Sequence, residues 1–292
     1  MRFYCFESNG SAHLGIGTPD GKRLLDLAAA APELPKDPIE FIAGFASIQP
    51  VLRQIIESNQ RSTWTHDLKG LRLLAPIPRP GKILCSGINY RSHLQENPNA
   101  VLPEEPFFFA KLPSTVIGPS QPIICPRRSQ QVDYEIEFAV VIGSKMKETA
   151  ESDALEHIFG YTILHDISAR DVQFRDNQIT LGKNFDSFCP IGPCVVTRDE
   201  ISRPDRISLK TFLNGQIMQD GTTADWLFSL PHLLSFLSQT ITLEPGDIVS
   251  TGTPAGVGVF RKPPTFLKPG DIVRLEAGQI GILQNSVTAQ QE

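Results

Sequence analysis

The chain has 292 residues, 40% of them hydrophobic, with a formal net charge of −5 and five cysteines. That is enough apolar material for one large domain, or for a large domain with a small one beside it. Acids and bases are spread evenly, which leaves no basic stripe for nucleic acid and no polybasic or amphipathic segment for a membrane. No apolar run approaches the roughly 18–20 residues of a spanning helix. The N-terminus lacks the basic-then-apolar pattern of a secretory signal. Cys5, Cys85, Cys125, Cys189 and Cys194 form no C-x-x-C pair, which argues against a disulfide framework and a thiolate zinc site. The expectation is a soluble, reduced, cytoplasmic protein.

In chain order, RFYCFE and AHLGIG read as short strands joined through the turn TPDGK. KDPIEFIAGFASI and PVLRQIIESN read as two helices, the second opening on Pro50. The proline-rich APIPRPGK marks a boundary between a small N-terminal α+β domain, 1–74, and a larger domain, 75–292. Beyond it, short β-rich runs recur between Gly, Pro and Asp turns: KILCSGI, PFFFAKL, EIEFAVVIG, IFGYTIL, PCVVT, LKTFLNG, DIVSTG, DIVRLEA and IGILQN. Their spacing predicts an α+β, predominantly β fold, a barrel or sandwich rather than βαβ units. One helix is predicted over ADWLFSLPHLLSFLSQ, and PGDIV, which occurs twice, reads as two similar turns entering strands.

The strongest chemical signal is QVDYEIEFAVVIG. On a strand, Asp133, Glu135 and Glu137 fall on one face, with same-face neighbours roughly 6.5–7 Å apart. Carboxylates entering an apolar run need a cation or bases to offset them. Such a set suits Mg²⁺, Mn²⁺ or Ca²⁺, although a solvated strand face reads the same way. Asp166 ends the apolar run GYTILHD, where an acid commonly caps the next turn. It could equally complete a set of oxygen ligands with Glu135 and Glu137. His165, its strand neighbour, should point the other way and pack.

LGKNFDSFCPIGP places Lys183 and Asp186 in a predicted loop, where a lysine is either a solvated charge or an anchor for an anionic substrate. DIVSTGTPAGVG matches no nucleotide-binding loop, yet its amides and Thr253 could line a small anion. In NYRSHLQE, His93 and Glu96 are i, i+3 neighbours on a helix, fit for a general base or for a plain polar surface pair. G-x-S-x-G and H-E-x-x-H are both absent.

Taken together, KILCSGINYRSHLQE, PFFFAKLPSTVIGP, DYEIEFAVVIG, GYTILHDISARDVQ, GKNFDSFCPIGP, LNGQIMQDGTTADWLF and IVSTGTPAGVG resemble the fumarylacetoacetate hydrolase family, over about residues 78–285. The resemblance implies a mixed β-roll and a divalent ion, usually Mg²⁺, held by Glu135, Glu137 and Asp166. It implies a His93–Glu96 dyad on a short lid helix, Lys183 at the site, and substrate contacts from Gln173 and Thr253. It also implies a homodimer. His165 departs from the family pattern, which more often has Asn there.

The implied chemistry starts from a keto acid chelated by the metal, which polarises the carbonyl and stabilises an enolate. The leading expectation is hydrolysis of an acylpyruvate or 2,4-diketo acid, with the dyad activating water. The alternatives use the same site without that water: decarboxylation of oxaloacetate, or isomerisation of a hydroxy-diene acid.

Overall fold

Strand Ile136–Ile142 sets the architecture, because both of its faces are apolar. Ile136, Phe138, Val140 and Ile142 enter one hydrophobic core, and Ala139 and Val141 enter another. A strand that alternates between two cores must lie inside a sheet covered on both sides. The computed structural model describes residues 1–18, 20–57, 65–98, 100–175 and 179–291. The last two residues of PVLRQIIESN therefore lie outside the described residues.

The main sheet runs in the order Thr65–Asp67, Arg23–Asp26, Ser11–Gly17, Arg2–Ser8, Cys189–Thr197, Ile158–His165, Ile136–Ile142, Ile248–Ser250, Ile83–Ser86 and Phe108–Lys111. Most neighbours are antiparallel, while Ile248–Ser250 and Ile83–Ser86 pair in parallel. After Lys111 the chain returns, and Val116–Ile117 pairs with Cys189–Pro190. That pairing brings the far end of the sheet back to its middle, so the sheet rolls on itself. A five-stranded sheet, Gln216–Thr222, Ser208–Leu213, Ile272–Ala277, Gly281–Ala289 and Ile123–Cys125, and a two-stranded one, Val132–Asp133 with Ser168–Ala169, accompany it. The mixed, strand-rich roll expected from the sequence is observed.

The N-terminal strands continue this same sheet, since Arg2 and Phe3 pair with Val196 and Val195. Phe3, Leu14, Phe41 and Leu52 share a core with Ile83, Val141, Leu164 and Ile248. Two helices, Pro38–Ala43 and Phe45–Glu57, cover that core, and Pro50 lies inside the second rather than at its start. The helix expected over ADWLFSLPHLLSFLSQ begins only at Leu230, where Ser229 caps it and Pro231 occupies its first turn. Both PGDIV segments are tight turns: Asp247 accepts from the Glu244 amide, and Asp271 accepts from the Lys268 amide. Among the described residues, no helix is long and apolar enough to cross a membrane.

Candidate active site

The sheet gathers the acids at one end. Glu135 and Glu137 stand at the start of Ile136–Ile142, and Asp166 follows Ile158–His165, its antiparallel neighbour. The Asp166 amide donates to the Glu135 carbonyl at 3.0 Å and fixes that junction. The acidic segment is not one strand: it breaks between Val132–Asp133 and Ile136–Ile142. The break sends Asp133 to a different task, accepting from Arg170 Nε and from the amides of Gly258 and Val259.

The three carboxylates line a cleft with about 200 Å³ of free space, together with His93, Arg170, Gln173, Lys183 and Thr253. Its outer wall is apolar, built by Phe107, Phe109, Phe174, Ile179 and Phe260. The structure thus brings together the cleft-facing residues expected from the sequence, with Glu96 bonded to His93. Lys183 ends a short helix, Ile179–Lys183, instead of lying in a loop. Gly182 precedes it because an added Cβ would sit 2.6–2.8 Å from Gln173.

Buried cations answer the acids. Lys183 Nζ bridges Glu135 Oε2 at 2.6 Å and Asp166 Oδ2 at 2.5 Å. Arg170 Nη2 donates to Glu135 Oε1 at 2.5 Å, while its Nη1 donates to Gln173 Oε1. Lys111 Nζ, wholly buried, donates to Asp166 Oδ1 and to the carbonyls of Ile167 and Lys183. Burial pushes the Glu135 carboxyl up, but Arg170 and Lys183 outweigh it and hold the group well below the usual carboxylate range. Burial disfavours the charge on Lys183, and Asp166 and Glu135 reverse that effect and hold it protonated.

Glu137 differs. Among the described residues it accepts one hydrogen bond, from Ser250 Oγ, and pairs with no cation. Burial, then the charges of Asp166 and Glu135, push it well above the usual carboxylate range. A buried acid so placed suits a cation ligand, and its oxygen donors match a hard divalent ion. Glu135, Glu137 and Asp166 line the same cleft. The ligand atoms that converge within 4.8 Å of one another belong to Cys85, Glu137 and Asp166, while Arg170 and Lys183 hold Glu135.

The dyad sits on the helix Arg91–Glu96 across the cleft. His93 Nδ1 lies 2.7 Å from Glu96 Oε2, and Glu96 Oε1 accepts from the Gly256 amide at 2.7 Å. A carboxylate accepting on both oxygens leaves the proton on Nδ1, which makes Nε2 the basic nitrogen. Gly256 has φ +107, and a Cβ there would meet the Met218 carbonyl at 2.2 Å. Only glycine turns this amide toward Glu96. The Thr253 hydroxyl is committed to the Ile136 carbonyl and to Gln219 Nε2, so it braces the acidic strand.

Sequence reasoning missed Lys111, Arg170, Ser250 and Gln219. A lysine inside FFFAKLP and an arginine in SARDVQ carried a usable signal, since buried acids require buried bases. Ser250 and Gln219 carried none, because their roles depend on strand register. His165 packs as expected, with both ring nitrogens buried and unpartnered, and burial together with Lys111 lowers it to about 3.

A cleft of buried carboxylates answered by buried cations on a mixed sheet defines an enzyme class with known relatives. The family profile described as fumarylacetoacetate (FAA) hydrolase C-terminal matches residues 82–288. The chain belongs to the fumarylacetoacetate hydrolase family and is an enzyme of that family. It is 44% identical over 291 residues to the mitochondrial oxaloacetate tautomerase fahd2 of Xenopus laevis, covering 98% of this chain and 90% of that one. Among solved structures, a fumarylacetoacetate hydrolase from Exiguobacterium antarcticum is 36% identical with a TM-score of 0.85, covering 99% of this chain and all of that one. Maleylpyruvate hydrolase from Sphingobium sp. SYK-6, in complex with manganese(II) and pyruvate, is 28% identical with a TM-score of 0.82 and full coverage of both chains.

These relatives correct one expectation. Oxaloacetate tautomerases of Xenopus laevis, Bos taurus and Homo sapiens, 42–44% identical, are named as mitochondrial, which overturns the cytoplasmic reading. That reading rested on the lack of a secretory pattern and on unpaired cysteine spacing, neither of which specifies a compartment.

Proposed function

We propose that the enzyme interconverts the keto and enol forms of oxaloacetate or a closely similar β-keto diacid. Oxaloacetate chemistry without an attacking water is favoured over the expected hydrolysis of an acylpyruvate. The observation that carries this reading is the pairing of a buried cationic cluster, Lys183, Arg170 and Lys111, with a histidine base across the same cleft. The tautomerase relatives at 42–44% identity support this substrate class.

Glu135, Glu137 and Asp166 would hold a divalent ion, Mg²⁺ or Mn²⁺, which when bound supplies positive charge to a keto oxygen. His93 removes a C3 proton from the keto form. The C–H electron pair becomes the C2–C3 π bond, and the carbonyl pair moves onto the C2 oxygen. Lys183 and Arg170 provide positive potential where that oxygen gains charge. His93 then returns the proton to the oxygen, which gives the enol with no net change in atoms. Glu96 keeps Nδ1 protonated throughout and stabilises the imidazolium. Gln173 and Arg170 meet a substrate carboxylate, and the aromatic outer wall limits water.

The test uses purified protein with Mg²⁺ or Mn²⁺ and freshly dissolved oxaloacetate enol. Loss of enol absorbance should accelerate without stoichiometric pyruvate. Pyruvate formed at the same rate would replace tautomerisation with decarboxylation. Faster cleavage of acylpyruvates than of any oxaloacetate form would restore hydrolysis.

A further inference from the structure

The Cys85 thiol lies behind the cleft with no assigned role. It is 0% exposed, and its sulfur takes part in no hydrogen bond among the described residues, unlike Cys125 and Cys194, which donate to backbone carbonyls. Strand register explains its aim. Cys85 pairs with Ser250, whose hydroxyl holds Glu137, and Ser250 pairs in turn with Ala139. The sulfur therefore comes within 4.8 Å of an oxygen of Glu137 and an oxygen of Asp166. Glu135 stands outside this group, held by Arg170 and Lys183.

We propose that Cys85, Glu137 and Asp166 form a second ligand set within the same centre, selective for thiophilic divalent ions such as Cd²⁺ and Zn²⁺. This inference rests on the metal site of the proposed function. Thiolates select soft ions, whereas Mg²⁺ and Mn²⁺ take oxygen. A hard ion must draw Glu135 away from Lys183. A soft ion finds a sulfur and two oxygens already converging and need displace only one ammonium from Asp166. Binding converts the thiol to a metal-bound thiolate and releases one proton to solvent. If Glu135 follows, zinc gains four protein ligands and no open position, the closed arrangement of structural sites. Soft ions should then exclude substrate while hard ions admit it.

Metal-free protein is titrated with CdCl₂ and, separately, with MnCl₂. The wild type should show thiolate-to-cadmium absorption that saturates stoichiometrically and disappears under saturating Mn²⁺. Cys85→Ser should lose that absorption and bind Cd²⁺ about 10–100-fold more weakly, with Mn²⁺ affinity within about threefold of wild type. Cys194→Ser should keep the absorption, and melting curves confirm that each variant is folded. Mn²⁺ binding with no thiolate absorption in the wild type overturns the role of Cys85 and leaves the oxygen site standing. Absorption that survives Cys85→Ser, or that Mn²⁺ does not suppress, overturns it as well. Failure of both ions to bind removes the metal site itself and this inference with it.

Discussion

The two walls of the cleft are built by opposite means. The acidic wall is a buried network in which Glu135, Asp166, Lys183, Arg170 and Lys111 satisfy one another in the interior. The His93 wall is a six-residue helix, partly exposed and tied to the body by a few bonds, among them Ser92 amide to Asp225 at 2.8 Å, Ala255 amide to Ser92 Oγ at 3.3 Å and Gly256 amide to Glu96 at 2.7 Å. A buried ion network is set when the chain folds, and breaking it leaves a stranded charge. A short helix held at its ends can shift at little cost. The charges are therefore held by many mutual contacts, and the helix that carries His93 by few.

The sharpest way to break this contrast is Lys111→Met, which leaves Asp166 Oδ1 and the carbonyls of Ile167 and Lys183 without their buried ammonium. It should cost about 3–5 kcal/mol in chemical denaturation, and a loss below ~1 kcal/mol would show that the network is not set by burial. His93→Gln should instead lower turnover by about 10²–10⁴-fold with the denaturation midpoint nearly unmoved. A variant that melts like Lys111→Met would erase the difference between the walls.

Glu137→Gln should lower Mn²⁺ affinity by at least about 10–100-fold, measured by calorimetry, yet leave the metal-free protein no less stable. The sign follows from its raised value. Below the ordinary 4.5 both folded and unfolded chains hold the proton. As pH rises above 4.5 the unfolded chain ionises first, and the native state loses stability until Glu137 ionises too. The stability advantage of Glu137→Gln should grow with pH across that window. An advantage that shrinks would mean the carboxylate is compensated by a group other than a metal. The smallest effect is expected for Asp225→Asn, which weakens the start of the His93 helix by about 0.5–2 kcal/mol. It should raise KM more than it lowers kcat, and equal changes would show that the helix does not move.

How much of this was legible in the sequence follows the same division. Tyr134, Ile136 and Phe138 alternate with Glu135 and Glu137 as period-two reasoning requires, so the acidic face and the core face were readable. The i, i+3 spacing of His93 and Glu96 correctly gave one helix face. Lys111 and Ser250 were not readable as partners, because their contacts cross 55 and 113 residues of chain. Asp133 looked identical to its acidic neighbours until the break in the strand turned it toward Gly258. Pro50, plausible as a helix start, is carried inside a helix whose buried face, Ile48 and Leu52, outweighs the missing amide.

Strand Cys189–Thr197 has a consequence of a different kind. It pairs with Ile158–His165 on one side and with Arg2–Ser8 on the other. Removing the first 74 residues would bare the edge of this strand at Val195 and Val196, strip the cover from Ile191, Val195 and Leu164, and offer unpaired backbone to any neighbouring chain. The shortened protein should be lost to aggregation even though every residue lining the cleft is retained. Residues 1–74 therefore act as a guard on solubility, which a comparison confined to catalytic motifs would overlook.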